Sequence, residues 1–438
     1  MIQSNNWKSL KFILGINNKM KTKKKIFCNF CEKSESEVGP LVEGSPSLEK
    51  NTRSYICVNC VKMCYEILYD DSVKIEKPKK KETISKSKQK LLNPKNIVKY
   101  LDKVVIGQKE CKRQLAVAVS NHYKRIFCEF EQDELKDTKL EKSNVILIGP
   151  TGSGKTLLAK TLAEMLDVPF AISDATSLTE AGYVGEDCES IISKLLRNCD
   201  FDVSKAQRGI VFIDEIDKIA KKGSGQSVSR DVSGEGVQQS LLKIIEGSEI
   251  AVPPHGGRKH PEQKFIHIDT TNILFICSGA FVGLDKIINK RCCSGGIGFN
   301  NNQVSKNEDV FNKYDISQED LIQYGMIPEF VGRVPVISKT DKLTVDDLKE
   351  ILTNPRDALV KQYRKIFKYD NIDLNLSDSA IDFIAEYTHN SGTGARGLRR
   401  ILELILNDYF FNVDDFRNKK LVINKNEIES IFQHKKVL

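Results

Sequence analysis

No run of about 18 apolar residues occurs anywhere in this 438-residue chain, so a membrane-spanning helix is not expected. A secretory signal is missing too. The first 19 residues are basic, carry no acid and are only mildly apolar at Phe12, Ile13 and Leu14. They offer neither a hydrophobic core region nor a small-residue cleavage site, which argues against export. A start upstream of Met20 accounts for them, and a short organelle-targeting segment is the alternative. Nor is there a disulfide framework. Of the 12 cysteines, Cys111, Cys128, Cys188, Cys199 and Cys277 are scattered through helix-like or strand-like sequence, which fits a reducing compartment. There is no internal repeat, and no interleaving of aromatic and basic residues of the kind that stacks nucleic-acid bases.

The remaining composition, 40% hydrophobic and 29% charged, is ordinary for a globular protein, and the length allows two or three domains. The formal net charge of +8 is uneven. Residues 74 to 95 hold nine lysines against two glutamates and read as a solvated tether, not a nucleic-acid surface. Five parts are expected: an N-terminal extension (1–25), a cysteine module (26–70), the Lys-rich linker (71–93), a large α/β domain (94–336) and a smaller, mostly helical domain (337–438). Val145–Ile148, Ile210–Ile213 and Ile273–Ile276 are short continuous apolar runs that suit buried parallel strands. Amphipathic stretches such as Thr156–Leu166 and Val237–Ile245 alternate with them, which predicts an α/β sheet covered on both faces. Beyond Pro335 the pattern predicts helices over Val345–Phe367, from the Ser377 cap to about Tyr387, and over Ala395–Phe411, with a brief strand at Leu421–Ile423.

Gly149-Pro150-Thr151-Gly152-Ser153-Gly154-Lys155-Thr156 fits the phosphate-loop pattern in full, followed by Leu157 on the helix it opens. The glycines let backbone N–H groups close around phosphate oxygens, Lys155 reaches the β and γ phosphates, and the Thr156 hydroxyl suits Mg²⁺. Asp214-Glu215 ends a predicted strand, where an acid faces the ligand crevice of a parallel sheet. Asp214 is expected to hold the Mg²⁺ that accompanies ATP, and Glu215 to polarise the attacking water. The pairs Cys28-x-x-Cys31 and Cys57-x-x-Cys60 together offer four thiolates to one Zn²⁺. Cys64 is a spare candidate whose spacing suits the helix after Cys60.

These features, with Gly394-Ala395-Arg396 opening a late helix, resemble the AAA+ ATPases. The resemblance implies that Arg396 reaches the nucleotide from the smaller domain and that Arg333, in Glu329-Phe330-Val331-Gly332-Arg333, contacts the γ phosphate on a neighbouring subunit. It also implies that Val105-Ile106-Gly107-Gln108 contacts adenine. Within that family the chain resembles the ring unfoldases of ATP-dependent proteases over about residues 94–435. On that resemblance Tyr183 and Val184, between glycines, grip substrate in a central pore, Arg230 belongs to a second pore loop, and Arg258-Lys259-His260 screens substrate at the pore mouth. Ile297-Gly298-Phe299 would dock on a ClpP-type peptidase ring.

The expected protein is therefore a cytoplasmic homo-hexamer using ATP, Mg²⁺ and Zn²⁺, acting on protein substrates and possible adaptors, with a zinc module that dimerises. An organelle of bacterial origin is the alternative compartment. Binding to membrane or nucleic acid is not expected. The 25 residues between Cys31 and Cys57 exceed the family's usual spacing, so residues 38–54 are expected to be an enlarged loop. A remodelling chaperone without a peptidase, and a zinc-ribbon nucleic-acid-binding ATPase, are the alternative readings.

Overall fold

The computed structural model describes residues 26–44, 54–68, 92–127, 138, 140–179, 186–221, 234–253, 265–293 and 314–434. The chain divides into two units, residues 1–82 and 83–438. In the first, Leu41–Glu43 pairs antiparallel with Tyr55–Cys57, Leu41 opposite Cys57, and a helix runs over Val58–Leu68. Part of the expected loop over residues 38–54 is thus a strand, because Leu41 turns onto the module's core. That core consists of buried Cys28, Cys57 and Cys60 with Cys31, Val38, Leu41 and Ile56 against them. So few apolar groups cannot hold a fold of this size by burial alone.

In the second unit five strands form one parallel sheet: β1 (Val145–Ile148), β2 (Phe170–Asp174), β3 (Ile210–Asp214), β4 (Leu274–Gly279) and β5 (Val336–Lys339). Their spatial order is β5-β1-β4-β3-β2. β1 and β4 lie inside the sheet and are buried along their whole length, which is why they read as continuous apolar runs. Alternate residues feed two cores. Val145, Leu147, Phe212 and Ile276 pack with Leu158, Ala159 and Leu162 of the helix Lys155–Leu166. Ile146, Ile148, Ile213 and Phe275 pack on the opposite face with Val237, Leu241 and Ile245 of the helix Glu235–Glu246.

Beyond β5 a third core joins Leu348, Phe367, Ile384, Leu402 and Phe432. Here one expectation is corrected. Val345–Phe367 is not one helix but two, Val345–Thr353 and Leu359–Tyr369. Pro355 lies between them and lacks the amide hydrogen that would continue the first helix's bonding, although Asn354 before it keeps helical backbone at φ −83° and ψ −48°. Ser377 caps Asp378–Asn390 by accepting from the Ala380 amide at 3.3 Å. Ala395–Phe411 has the expected bounds. Lys420–Ile423 is a strand, paired in parallel with Asp373–Leu376. Among the described residues no helix is long and apolar enough to cross a membrane.

Candidate functional site

The phosphate loop leaves the C-terminal end of β1, where the Gly149 amide donates to the Gly279 carbonyl at the end of β4, 3.2 Å away. Gly152 and Gly154 take left-handed backbone, φ +80° and +96°, which a side chain would oppose. Lys155 opens the helix, so the unpaired N–H groups of its first turn face the crevice. The Lys155 ammonium donates to the carbonyls of Gly149 at 2.7 Å and Pro150 at 2.9 Å. Burial holds Lys155 below the usual lysine range; Asp214 and Asp217 oppose that shift and Arg396 adds to it. A phosphate anion here would therefore meet a cation short of solvation. Thr156 Oγ1 lies 3.5 Å from Asp214 Oδ2, close enough for one Mg²⁺ with its water shell to join them.

Glu215 follows Asp214 with φ +56°, a left-handed non-glycine residue held at a cost of about 1–3 kcal/mol. Its amide donates to Asp214 Oδ1 at 3.0 Å, and its carbonyl accepts from the Lys218 amide at 2.9 Å to open the short turn Ile216–Ile219. The strain turns an exposed carboxylate out at the sheet's C-terminal edge. Asp217 in that turn is buried and accepts from the Ala280 amide at 3.2 Å.

Two other segments hold the phosphate loop. Thr340, just after β5, bonds its hydroxyl to that of Ser153 at 2.7 Å. The Ala395 amide donates to the Gly152 carbonyl at 3.2 Å. A Cβ on Gly152 would sit 2.8 Å from the Thr393 carbonyl oxygen, and one on Gly394 2.9 Å from that of Thr151. Only paired glycines permit this approach, and it brings the exposed Arg396 within electrostatic reach of Lys155. Val105 reaches the same loop: a Cβ on Gly154 would find Val105 Cγ1 at 3.9 Å. The Val105 carbonyl accepts from buried Lys112 at 2.6 Å, and the Gln108 amide pairs reciprocally with the Asp341 backbone at 2.9 and 2.8 Å. Gln108 thus clamps the segment Val105–Gly107 in place. Leu157, two residues into the helix, is exposed.

Arg333 is not brought to this crevice. It pairs with Glu246 at 2.8 Å, and its carbonyl accepts from Asn144, which precedes β1. It therefore lies at the N-terminal ends of the strands, a whole β1 length (4 residues, roughly 13 Å) from the phosphate loop. Tyr183, Val184, Arg230, Arg258, Lys259, His260, Ile297, Gly298 and Phe299 lie outside the described residues. Thr340, Lys112 and Asp217 are not singled out by the sequence, since isolated polar residues carry no local pattern.

In the first unit Cys28, Cys31, Cys57 and Cys60 bring their sulfurs within 4.8 Å of one another. Cys31 and Cys57 are 3.8 Å apart, the separation that tetrahedral zinc with bonds of about 2.3 Å imposes on its thiolates. Burial opposes ionisation of Cys28, but the amides of Cys31, Phe30 and Cys57 and the Cys31 thiol bring it down to about 6. Burial and the three neighbouring thiols push Cys60 up. Four thiols so placed cannot all ionise unless a cation joins them, and the donor set fits Zn²⁺. Cys64 lies on the following helix, outside the cluster.

Residues 26–70 match a family model described as a ClpX C4-type zinc finger, and residues 140–337 one described as an AAA domain of the Cdc48 subfamily. Residues 343–412 match the C-terminal D2-small domain of ClpB protein. The chain is 49% identical over 402 residues to the ATP-dependent Clp protease ATP-binding subunit ClpX of Borrelia duttonii, covering 92% of this chain and 90% of that protein. It is similar to the same subunit of Borrelia recurrentis to the same degree. With that of Treponema denticola it shares 48% identity over 406 residues, covering 92% and 94% of the two chains.

Proposed function

The chain belongs to the ClpX family of AAA+ ATPases, and from that premise we propose that it is a ring-forming unfoldase that threads protein substrates into a ClpP-type peptidase. The observation that carries the ring is the position of Arg333. An arginine at the far ends of the strands is of no use to its own phosphate loop, but in a closed ring of copies, six on this reading, it would face the loop next door. Lys155 and the first-turn amides bind the β and γ phosphates, and Arg396 from the smaller domain adds a second cation. Thr156, and Asp214 through water, would hold the Mg²⁺ that accompanies ATP, which would supply charge neutralisation at those phosphates. Glu215 orients and polarises the attacking water, and Arg333 of the next subunit stabilises charge on the transferring group.

Movement follows from the contacts around the loop. Phosphate-loop geometry and the smaller domain share the Gly152–Ala395 hydrogen bond, so a change at the phosphates is felt by the domain beyond. Tyr183 and Val184 would pass that motion to the threaded chain, with Arg230 and the Arg258–His260 loop selecting what enters. The zinc module would dimerise and recruit substrates or adaptors, and Ile297–Phe299 would dock the peptidase. The working compartment would be the cytoplasm.

ATP-driven unfolding of a tagged, stable fluorescent reporter, measured with and without the peptidase, tests this reading. Tyr183→Ala should keep ATP turnover within a few-fold while unfolding falls much further. Phe299→Ala should abolish degradation yet keep unfolding. Degradation unchanged by Phe299→Ala would remove the docking loop from the reading, and absence of any reporter unfolding by the unmodified protein would overturn it.

A further inference from the structure

We propose that Asp217 is a positioning residue for ATP hydrolysis: by accepting the Ala280 amide it fixes the turn carrying Glu215 relative to the phosphate loop. This rests on the assignment of Glu215 as the group that polarises water. The ladder between β3 and β4 runs from Ile210 opposite Leu274 to Ile213 opposite Cys277, and ends there. β4 continues for two more residues, but these pair with β1, Ser278 opposite Leu147 and Gly279 opposite Ile148. Asp214 and Glu215 thus lie past the last backbone rung that joins their strand to β4.

Where the backbone ladder stops, a side chain takes over. Asp217 Oδ1 accepts from the Ala280 amide at 3.2 Å, with the carboxylate buried. One residue earlier, the Gly279 carbonyl accepts from Gly149, the first residue of the phosphate loop. A single peptide group at the end of β4, Gly279–Ala280, therefore holds the loop by its carbonyl and the acid turn by its N–H. Gly279 makes room for this: a Cβ there would sit 2.7 Å from Asp217 Oδ1. The turn needs such a tether because Glu215 is in left-handed backbone, which relaxes toward ordinary conformations unless its surroundings hold it. An extended strand end would aim the Glu215 carboxylate elsewhere, and a misplaced base loses turnover while leaving the phosphates bound.

The test is a double-mutant cycle on the full-length protein, reading steady-state ATP turnover and the affinity for a fluorescent ADP. Asp217→Ala should lower kcat at least about tenfold and leave ADP affinity within about twofold, the split expected of a group acting only on the chemical step. Asp217→Asn, which keeps an oxygen acceptor for Ala280, should restore kcat to within about threefold of normal. In a Glu215→Gln background Asp217→Ala should lower turnover no further, because the residue it positions is already disabled. Should Asp217→Ala fail to fold, Asp217→Ser, whose shorter side chain withdraws the acceptor from the Ala280 amide, is read in the same way.

Equal loss of ADP affinity and kcat would make Asp217 a support of the phosphate loop and overturn the proposal. So would additive losses in the double variant, or an Asp217→Asn variant as slow as Asp217→Ala. Normal turnover by Glu215→Gln alone would instead remove the premise about Glu215.

Discussion

His122, Arg125 and Lys142 take the carbonyls of three successive residues in the turn before β4: Asn272 at 3.2 Å, Thr271 at 2.9 Å and Thr270 at 2.9 Å. Two of the three lie one helical turn apart on Lys109–Phe127, so they meet the turn side by side. His122 Nε2 must carry the proton it donates to Asn272, and Nδ1 is buried with no partner among the described residues. A second proton would bury a charge beside two cations. Burial, then Arg125 and Lys142, bring His122 down to about 3, against a weaker opposing effect of the Asn272 carbonyl. The sign follows from linkage. Between about pH 6.5 and 3 the unfolded chain binds this proton and the folded chain does not, so stability falls on acidification by at most about 1.4 kcal/mol per pH unit. The urea midpoint should drop between pH 7 and pH 5, and His122→Gln should flatten that slope. An unchanged slope would mean His122 accepts its proton in the fold.

The cysteine module shows what an element can and cannot do alone. Its strand and helix supply Cys57 and Cys60, and the turn between Phe27 and Ser34 supplies Cys28 and Cys31, but among the described residues almost nothing else is buried. Zinc is then the main source of its stability, and metal binding and folding are one event. Cys57→Ser should lower zinc content from about one per chain to none and leave the module unfolded, while ATP turnover of the second unit persists. Full zinc retention in that variant would show that Cys57 is not a ligand.

Elements were legible in proportion to how far their own sequence decides them. β1, β3 and β4 are buried on both faces, and burial writes itself as a run of apolar letters. β2 and β5 lie at the sheet's edges, and Phe170-Ala171-Ile172-Ser173-Asp174 leaves Ile172 exposed, so neither announced itself. The break at Pro355 was legible in principle, since proline acts locally. The phosphate loop was fully legible because consecutive residues make it. The contacts that hold it, Thr340 and Ala395, come from far along the chain, and no window of sequence contains both partners.

At the scale of the whole molecule, the proposed ring would make hydrolysis a property of neighbours, with Arg333 serving the phosphate loop of the next subunit. Rings made only of Arg333→Ala chains should bind ATP yet turn it over at least about tenfold more slowly. Rings made only of Lys155→Ala chains should fail at binding. Mixing the two before assembly should recover turnover, since each supplies what the other lacks at a shared boundary. No recovery on mixing, with ring formation verified by light scattering, would place Arg333 outside catalysis.

The partners of the phosphate loop also have an address in time. Ser153 and Thr340 are 187 residues apart, and Ala395 comes later still. A ribosome adds roughly 5–20 residues per second, so the loop leaves the exit tunnel many seconds before the residues that brace it exist. Nucleotide is therefore a late arrival, unable to stabilise the nascent α/β domain while its hydrophobic strands are most in need of shelter. Ribosome-bound chains arrested before residue 340 should not be retained on immobilised ATP, whereas chains with residues 1–438 fully emerged should be. Through that interval the apolar strands β1, β3 and β4 are already made, and the segments that complete their nucleotide site are not.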